Sequence, residues 1–271
     1  MRKVTLILGL ITLAASAWAY DTESEAERRA EEQMNRAPVP VFKWTGFYIG
    51  IEGNYTRNSA DFSLMPSGDF NQFPDLSDEL RFRGRHEFDG DGGGIGGYGG
   101  YNFMVCEHVI FGLEIEGRRV WGLKARFETG DFDFNGNGMF DVHSSFDTED
   151  IPYLVTFGPR LGYGWGDFLP YVKGGLAFGQ VDAHQGILTS TFGGNTSGKE
   201  SETELGWAVA GGLEYALTDH WRLRVEYQYT DLGTQDFTGW GHPNSFHGFT
   251  SWNSVHVTEH SGTFGIGYSF H

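Results

Sequence analysis

Along Ser261 to Phe270 apolar residues recur at every second position, with Phe264, Ile266, Tyr268 and Phe270 set between small or polar neighbours. Period-two alternation gives a strand one oily face and one polar face. The same signature starts at Gly46 to Tyr55, where Phe47, Ile49 and Ile51 oppose Tyr48, Glu52 and Asn54. It recurs over Gly93 to Phe103, with Ile95, Tyr101 and Phe103 outward, and over Val109 to Val120, with Phe111, Leu113 and Ile115 against Glu114, Glu116 and Arg118. Further strands are predicted at Tyr153 to Tyr163, Pro170 to Val181, Glu204 to Leu217, Trp221 to Thr230 and Val255 to Phe270. Short turns at Met104 to His108, Gly164 to Asp167 and Thr218 to His220 alternate with long polar loops at Thr56 to Gly90, Trp121 to Asp150, Asp182 to Thr203 and Asp231 to Ser254. Eight strands in up-and-down order, with short turns at one end and long loops at the other, predict an all-β fold: an eight-stranded antiparallel transmembrane β-barrel.

Composition agrees. Mean hydropathy is -0.36, and past the amino terminus there is no run of about 20 apolar residues to span a bilayer as a helix. A barrel strand shows lipid an apolar residue only at alternate positions, so low hydropathy and membrane insertion are compatible. The 23 Phe, 12 Tyr and 8 Trp suit interfacial girdles, and the 41 Gly suit curved strands. Met1-Arg2-Lys3, the apolar Val4 to Ala15 and Ala17-Trp18-Ala19 read as an export signal with an A-x-A cleavage site. The expected organisation is a signal peptide at 1–19, a periplasmic charged arm and Pro linker at 20–43, and the barrel at 44–271. Loss of Arg2 and Lys3 would take the net charge from -17 to -19. That excess of acid argues against nucleic acid as a partner. The single Cys106 forbids an internal disulfide.

With the apolar parity facing lipid, the inward positions include Glu52, Glu114, Glu116, Glu214 and Glu226 and, opposing them, Arg118, Arg160, Lys173, Arg222 and Arg224. Charges at membrane depth must be paired or wet, and near balance points to a paired network. Eight strands enclose just enough room for side chains, so a filled lumen is expected. Two aromatic belts follow. Phe42, Trp44, Phe103, Trp165, Phe168, Tyr215, Trp221, Tyr268 and Phe270 belong at the periplasmic end; Tyr55, Trp121, Phe178, Trp207, Tyr227 and Tyr229 belong at the outer rim.

Other chemistry is thin. Asp131, Asp133 and Asn135, followed by Gly136, resemble the first half of a calcium loop, but the twelfth position is Val142 where a bidentate Glu belongs. Among ten His, His256 and His260 share a strand face about 13 Å apart, too far for one zinc ion. A single His with loop aromatics would be the route to haem. His260 and Ser261 are adjacent on a strand and point to opposite faces, which rules against a hydrolase pair. No enzyme activity and no cofactor are expected.

Val41 to Gly50 (VFKWTGFYIG), Leu169 to Ala177 (LPYVKGGLA), Gly206 to Ala216 (GWAVAGGLEYA) and Leu223 to Gly233 (LRVEYQYTDLG) together resemble the outer-membrane immunogenic, opacity-like porin family of Gram-negative bacteria. The resemblance spans Val41 to Phe270. It implies an eight-stranded barrel with surface-exposed loops and roles in envelope integrity, adhesion or immune recognition. Some relatives bind haemin. The assembly machinery is expected to read Tyr268 and Phe270, although His271 follows the usual terminal aromatic, and the charged arm is longer than the family's usual lead. The resulting expectation is a non-enzymatic outer-membrane protein that stabilises the envelope and displays acidic loops. Its expected partners are outer-membrane lipid, lipopolysaccharide and the barrel-assembly machinery. Alternatives are a narrow cation-preferring pore and a loop-based adhesin or receptor for a host or haemin ligand.

Overall fold

A computed structural model describes residues 42–72, 74–121, 125–128, 142–148, 153–189, 194–241 and 249–270. Ten strands lie among them: β1 Gly46–Gly68, β2 His86–Met104, β3 Val109–Trp121, β4 Ala125–Glu128, β5 Val142–Thr148, β6 Leu154–Tyr163, β7 Phe168–Thr189, β8 Gly194–Ala216, β9 Trp221–Gly241 and β10 Phe249–Phe270. Every pairing is antiparallel, and β1, β2, β3, β6, β7, β8, β9 and β10 close into a ring through β1–β10 and β7–β8. No described helix is long and apolar enough to cross a membrane. The signal peptide, the arm up to residue 41 and the candidate calcium ligands Asp131, Asp133 and Asn135 lie outside the described residues.

The register fixes the barrel's geometry. From Glu52 the pairing passes through Gly96, Arg118 and Leu154 to Gly179 in one direction. In the other it passes through Gly265, Arg224 and Glu214 to Leu169, ten residues away on β7. A stagger of that size in eight strands tilts them by roughly 40° and leaves an interior that side chains can fill. Between β6 and β7 the backbones press together: a Cβ on Gly158 would fall 2.1 Å from the Gly174 carbonyl oxygen, so only glycine fits.

The strands run much further than the alternation predicted. Positions read as the loops Thr56 to Gly90, Asp182 to Thr203 and Asp231 to Ser254 largely continue as strand, while β4 and β5 extend the wall above β6 and bring β4 against β2. The physical reason is that the alternation inverts. Below Tyr55, β1 turns Phe47, Ile49 and Ile51 outward; above it, Arg57 and Asp61 face outward while Ala60, Phe62 and Leu64 are buried. β10 behaves alike, with His260 outward and Val255 and Val257 inside above the level where Phe264 and Ile266 meet lipid. Beyond the bilayer, water lies outside the wall, so the oily face moves in.

The upper core is capped by α1, Pro74–Arg83, which opens with Pro at its first turn and Asp75 beside it. Leu80 and Phe70 are buried, and Ser77 Oγ donates to the Phe70 carbonyl at 2.7 Å. On β9 a bulge at Leu232 and Gly233 is held by the Asp231 carboxylate, which accepts from Gly233 N–H at 2.8 Å. Gly233 has φ +77, a conformation that glycine adopts without strain. The bulge drives Leu232 inward against Leu154 and Gly179.

The opposite end also corrects an expectation. Phe42 and Trp44 do not belong to the periplasmic girdle. Both are buried, and with Ile110, Leu169 and Ala216 they plug the mouth formed by the short turns. Trp44 Nε1 donates to the Gly166 carbonyl at 3.2 Å, fixing the plug to the β6–β7 turn. Phe103, Trp165, Phe168, Tyr215, Trp221 and Phe270 are exposed on the outside near this end, as Tyr55, Trp121, Phe178, Trp207 and Tyr227 are towards the other.

Candidate functional site in the barrel lumen

Between the aromatic plug and the upper apolar core the inward positions carry charge. The ten residues singled out by parity are brought together in one network, and all but Lys173 are among the most buried side chains of the barrel. Glu259 on β10, absent from that set, joins them, so six carboxylates face five cations.

The lower half is organised by three tyrosines paired across strands with glycines: Tyr48 with Gly100, Tyr98 with Gly50, and Tyr171 with Gly212. The missing side chain lets each ring lie flat across the neighbouring strand. A Cβ on Gly50 would sit 2.2 Å from Tyr98 Cζ, and those on Gly100 and Gly212 2.6 Å from the facing hydroxyl. An arginine covers each ring in turn. Arg222 lies 3.9 Å above the centroid of Tyr48, Arg224 3.6 Å above Tyr98, and Arg160 4.0 Å above Tyr171. Glycine, tyrosine and arginine thus form three layered stacks, in which ring quadrupoles attract guanidinium charge away from water.

Two carboxylates bind the stacks together. Glu214 accepts from Arg222 Nη1 at 3.0 Å, Arg160 Nη1 at 3.1 Å and Arg224 Nε at 3.2 Å. Glu114 accepts from Tyr48 Oη at 2.7 Å, from Arg160 Nη1 at 2.9 Å and from Arg224. Glu52 has Arg224 Nη1 as its ion-pair partner, at 3.9 Å.

Higher up, carboxylate oxygens of Glu114, Glu116 and Glu226 lie within 4.8 Å of one another, a spacing that could hold a metal ion. The cation among them is the Lys173 ammonium. It lies 2.9 Å from Glu114 and 2.9 Å from Glu226, and it contacts Glu116. Arg118 bridges Glu116, at 3.3 Å, to Glu259. Beside Lys173 the wall leaves a cavity of about 10 Å³, room for about one water molecule.

The remaining candidates disperse. His260 faces outward and Ser261 inward, so the two form no catalytic pair. His256 lies against Thr234 at 3.1 Å and Asp231 at 3.7 Å, and His260 against Tyr227 at 2.7 Å. Phe270 ends β10 facing outward opposite Phe47, with Tyr268 packed between His220 and Phe270.

A closed antiparallel ring with an aromatic-girdled apolar exterior and a charged interior defines an integral outer-membrane β-barrel. The chain belongs to the family of the outer membrane protein beta-barrel domain, whose model matches residues 5–270. Among its relatives is the 31 kDa outer-membrane immunogenic protein of Brucella melitensis, 28% identical over 87% of this chain and 89% of the relative. A 22 kDa outer membrane protein of Rhizobium leguminosarum bv. viciae is 28% identical over 74% and 71% respectively. The crystal structure of OprG from Pseudomonas aeruginosa aligns at 17% identity and TM-score 0.45, covering 84% of this chain and 97% of that one. The protein accordingly resides in the outer membrane.

Proposed function

We propose that this barrel is a sealed, non-enzymatic wall element that stabilises the envelope and displays its extended outer strands and loops at the surface. The observation carrying this reading is the succession of occupied levels along the axis. An aromatic plug fills the periplasmic mouth, three arginine stacks and the lysine cage fill the middle, and Leu232, Val255 and Val257 fill the top. A densely bridged interior of this kind, in which Glu114, Glu214 and Lys173 each hold several partners, rigidifies a barrel. Deleting the gene in its native host is expected to sensitise cells to detergent, with full-length protein restoring resistance; unchanged detergent tolerance on deletion would count against the envelope role.

A second reading, a narrow cation-preferring pore, draws on the excess carboxylate that Glu259 brings to the lumen. It predicts that Glu114→Gln or Glu116→Gln alters the selectivity of a measurable current, whereas a sealed wall carries none.

A further inference from the structure

Above Tyr55 and His260 the outer wall of β1 and β10 meets water. Its outward positions, from Arg57 to Ser67 on β1 and from Thr250 to Thr258 on β10, carry serine, threonine, histidine or charge, with two exceptions. Met65 and Trp252 pair directly across the two strands and are 50% and 60% exposed. At the tilt of this barrel the ten residues from Tyr55 to Met65 climb roughly 25 Å. The pair therefore stands clear of the headgroup layer. Exposed apolar residues scattered singly need no explanation, but two set side by side at the edge of a groove form a patch. Aromatic residues and methionine are enriched where proteins are recognised.

Two grooves meet beside the pair. One, of about 270 Å³, is walled by Met65, Trp252 and Asp236; the other, of about 460 Å³, by Asp61, Glu87, Arg85 and His256. They share Ser63 and Ser254, whose hydroxyls lie 2.7 Å apart. Asp61 and Asp236 are exposed and have no hydrogen bond or ion pair among the described residues. Glu87 accepts from Ser59 Oγ at 3.5 Å. Against these three carboxylates the grooves set one cation, Arg85, while His256 lies against Thr234 and Asp231. Outward rows are two residues apart, roughly 7 Å along a strand. Met65 and Trp252 occupy one row, Ser63, Ser254 and Asp236 the next, and Glu87, Asp61 and His256 the third. An extended peptide laid along the strands repeats its side chains at that same spacing.

We propose that this patch docks an extended, arginine-rich segment of a partner polypeptide. One arginine lies with its methylenes on Met65 and its guanidinium over the indole of Trp252, the ring type that attracts a cation best. Basic side chains two and four residues further along the segment pair with Asp236 and with Asp61 and Glu87. Charge complementarity selects this occupant: the grooves carry a surplus of carboxylate, and the chain as a whole has a net charge of -17. An anionic headgroup or polyanion is repelled by the same surplus. The inference rests on the reading that the extended strands are displayed at the surface, and it is independent of whether the lumen is sealed.

Fluorescence anisotropy tests this with the full chain refolded into phosphatidylcholine nanodiscs. The probe is a rhodamine-labelled peptide of three arginines alternating with serines, its counterpart carries glutamine for arginine, and maltohexaose is the competitor. Trp252→Ser with Met65→Ser removes the apolar pair, and Asp61→Asn with Asp236→Asn removes the unpaired carboxylates. Glu107→Gln with Asp219→Asn, on short turns at the opposite end, makes the same change in net charge away from the patch. A heat-dependent gel shift shows that each variant folds; Trp252→Ser or Asp236→Asn alone replaces a pair that does not. Both patch variants are expected to bind the arginine peptide about fivefold more weakly or worse, while the turn variant and maltohexaose leave binding unchanged and the glutamine peptide binds more weakly than the arginine one. Unchanged binding by either patch variant, an equal loss in the turn variant, equal binding of the glutamine peptide, or displacement by maltohexaose would each overturn the proposal, the last by revealing a sugar site. A membrane-impermeant maleimide on intact cells checks the reading beneath it: Trp252→Cys is expected to label and the parent, with Cys106 on a short turn, is not. Labelling of Trp252→Cys without peptide binding overturns the docking alone, whereas an unlabelled Trp252→Cys or a labelled parent overturns the display reading as well.

Discussion

The Arg224 guanidinium rests 3.6 Å above the ring of Tyr98, and that ring lies across Gly50 on the neighbouring strand. The stack needs a flat aromatic face and an empty position beneath it, and makes no use of the phenol oxygen, which has no hydrogen-bond partner among the described residues. Tyr98→Phe should therefore leave stability within about 0.5 kcal/mol of the parent. Gly50→Val should lift the ring and cost about 1–3 kcal/mol, the usual penalty of forced overpacking. Urea unfolding in lipid vesicles, read by tryptophan fluorescence, distinguishes the two; equal losses would show that the stack is incidental.

Lys173 contacts all three of the converging carboxylates Glu114, Glu116 and Glu226. Removing one partner of a buried ion cluster leaves charge uncompensated, so Lys173→Met should destabilise by about 3–5 kcal/mol. Adding Glu226→Gln to Lys173→Met removes part of the stranded charge and should recover some of that loss. A double-mutant cycle from the same unfolding experiment supplies the test, and additive losses would place the two residues in separate environments.

The aromatic plug makes a contrasting case. Phe42 and Trp44 are buried apolar side chains at the mouth formed by the short turns. Trp44→Ala should cost about 3–5 kcal/mol. It should not open a conducting path, because the arginine stacks remain above it. A thermal gel shift read beside ion flux checks both halves; flux from Trp44→Ala would make the plug the true barrier.

Above the membrane, the Arg57 hydrogen bond, aided by Ser59, holds the Asp89 carboxyl below the ordinary aspartate range. A carboxyl depressed in the folded state contributes stability that is present above its unfolded value and lost as pH falls through the folded one. Because the pair is more than half exposed, the contribution is small and screened by salt. The sharper readout is the titration of the Asp89 carboxyl carbon by NMR, which should shift upward in Arg57→Gln. An unmoved titration would show the pair to be uncoupled in solution.

Much of this was legible in the chain. Period-two alternation located eight strands because lipid forces every second residue to be apolar, and it placed Glu114, Arg160 and Arg224 inside by the same parity. The same rule hid the strand extensions, since the oily face changes sides at Tyr55 and a search for apolar exteriors stops there. Glu259 could have been found: it shares parity with Ser261 and Thr263, both inward, and went unremarked beside the apolar exterior of the same strand. Trp44 could not be placed by parity, because it precedes the first strand and belongs to no pleat. Tyr48 was legible as inward, but its pairing with Gly100 depends on register, which alternation along one strand does not contain.

The sealed lumen is tested most directly by single-channel recording of the refolded protein in a planar bilayer at neutral pH, across a salt gradient. Silence is the predicted result for the parent and for Trp44→Ala. Stable, ion-selective conductance from the parent, altered by Glu114→Gln, would contradict it and establish the lumen as a pore.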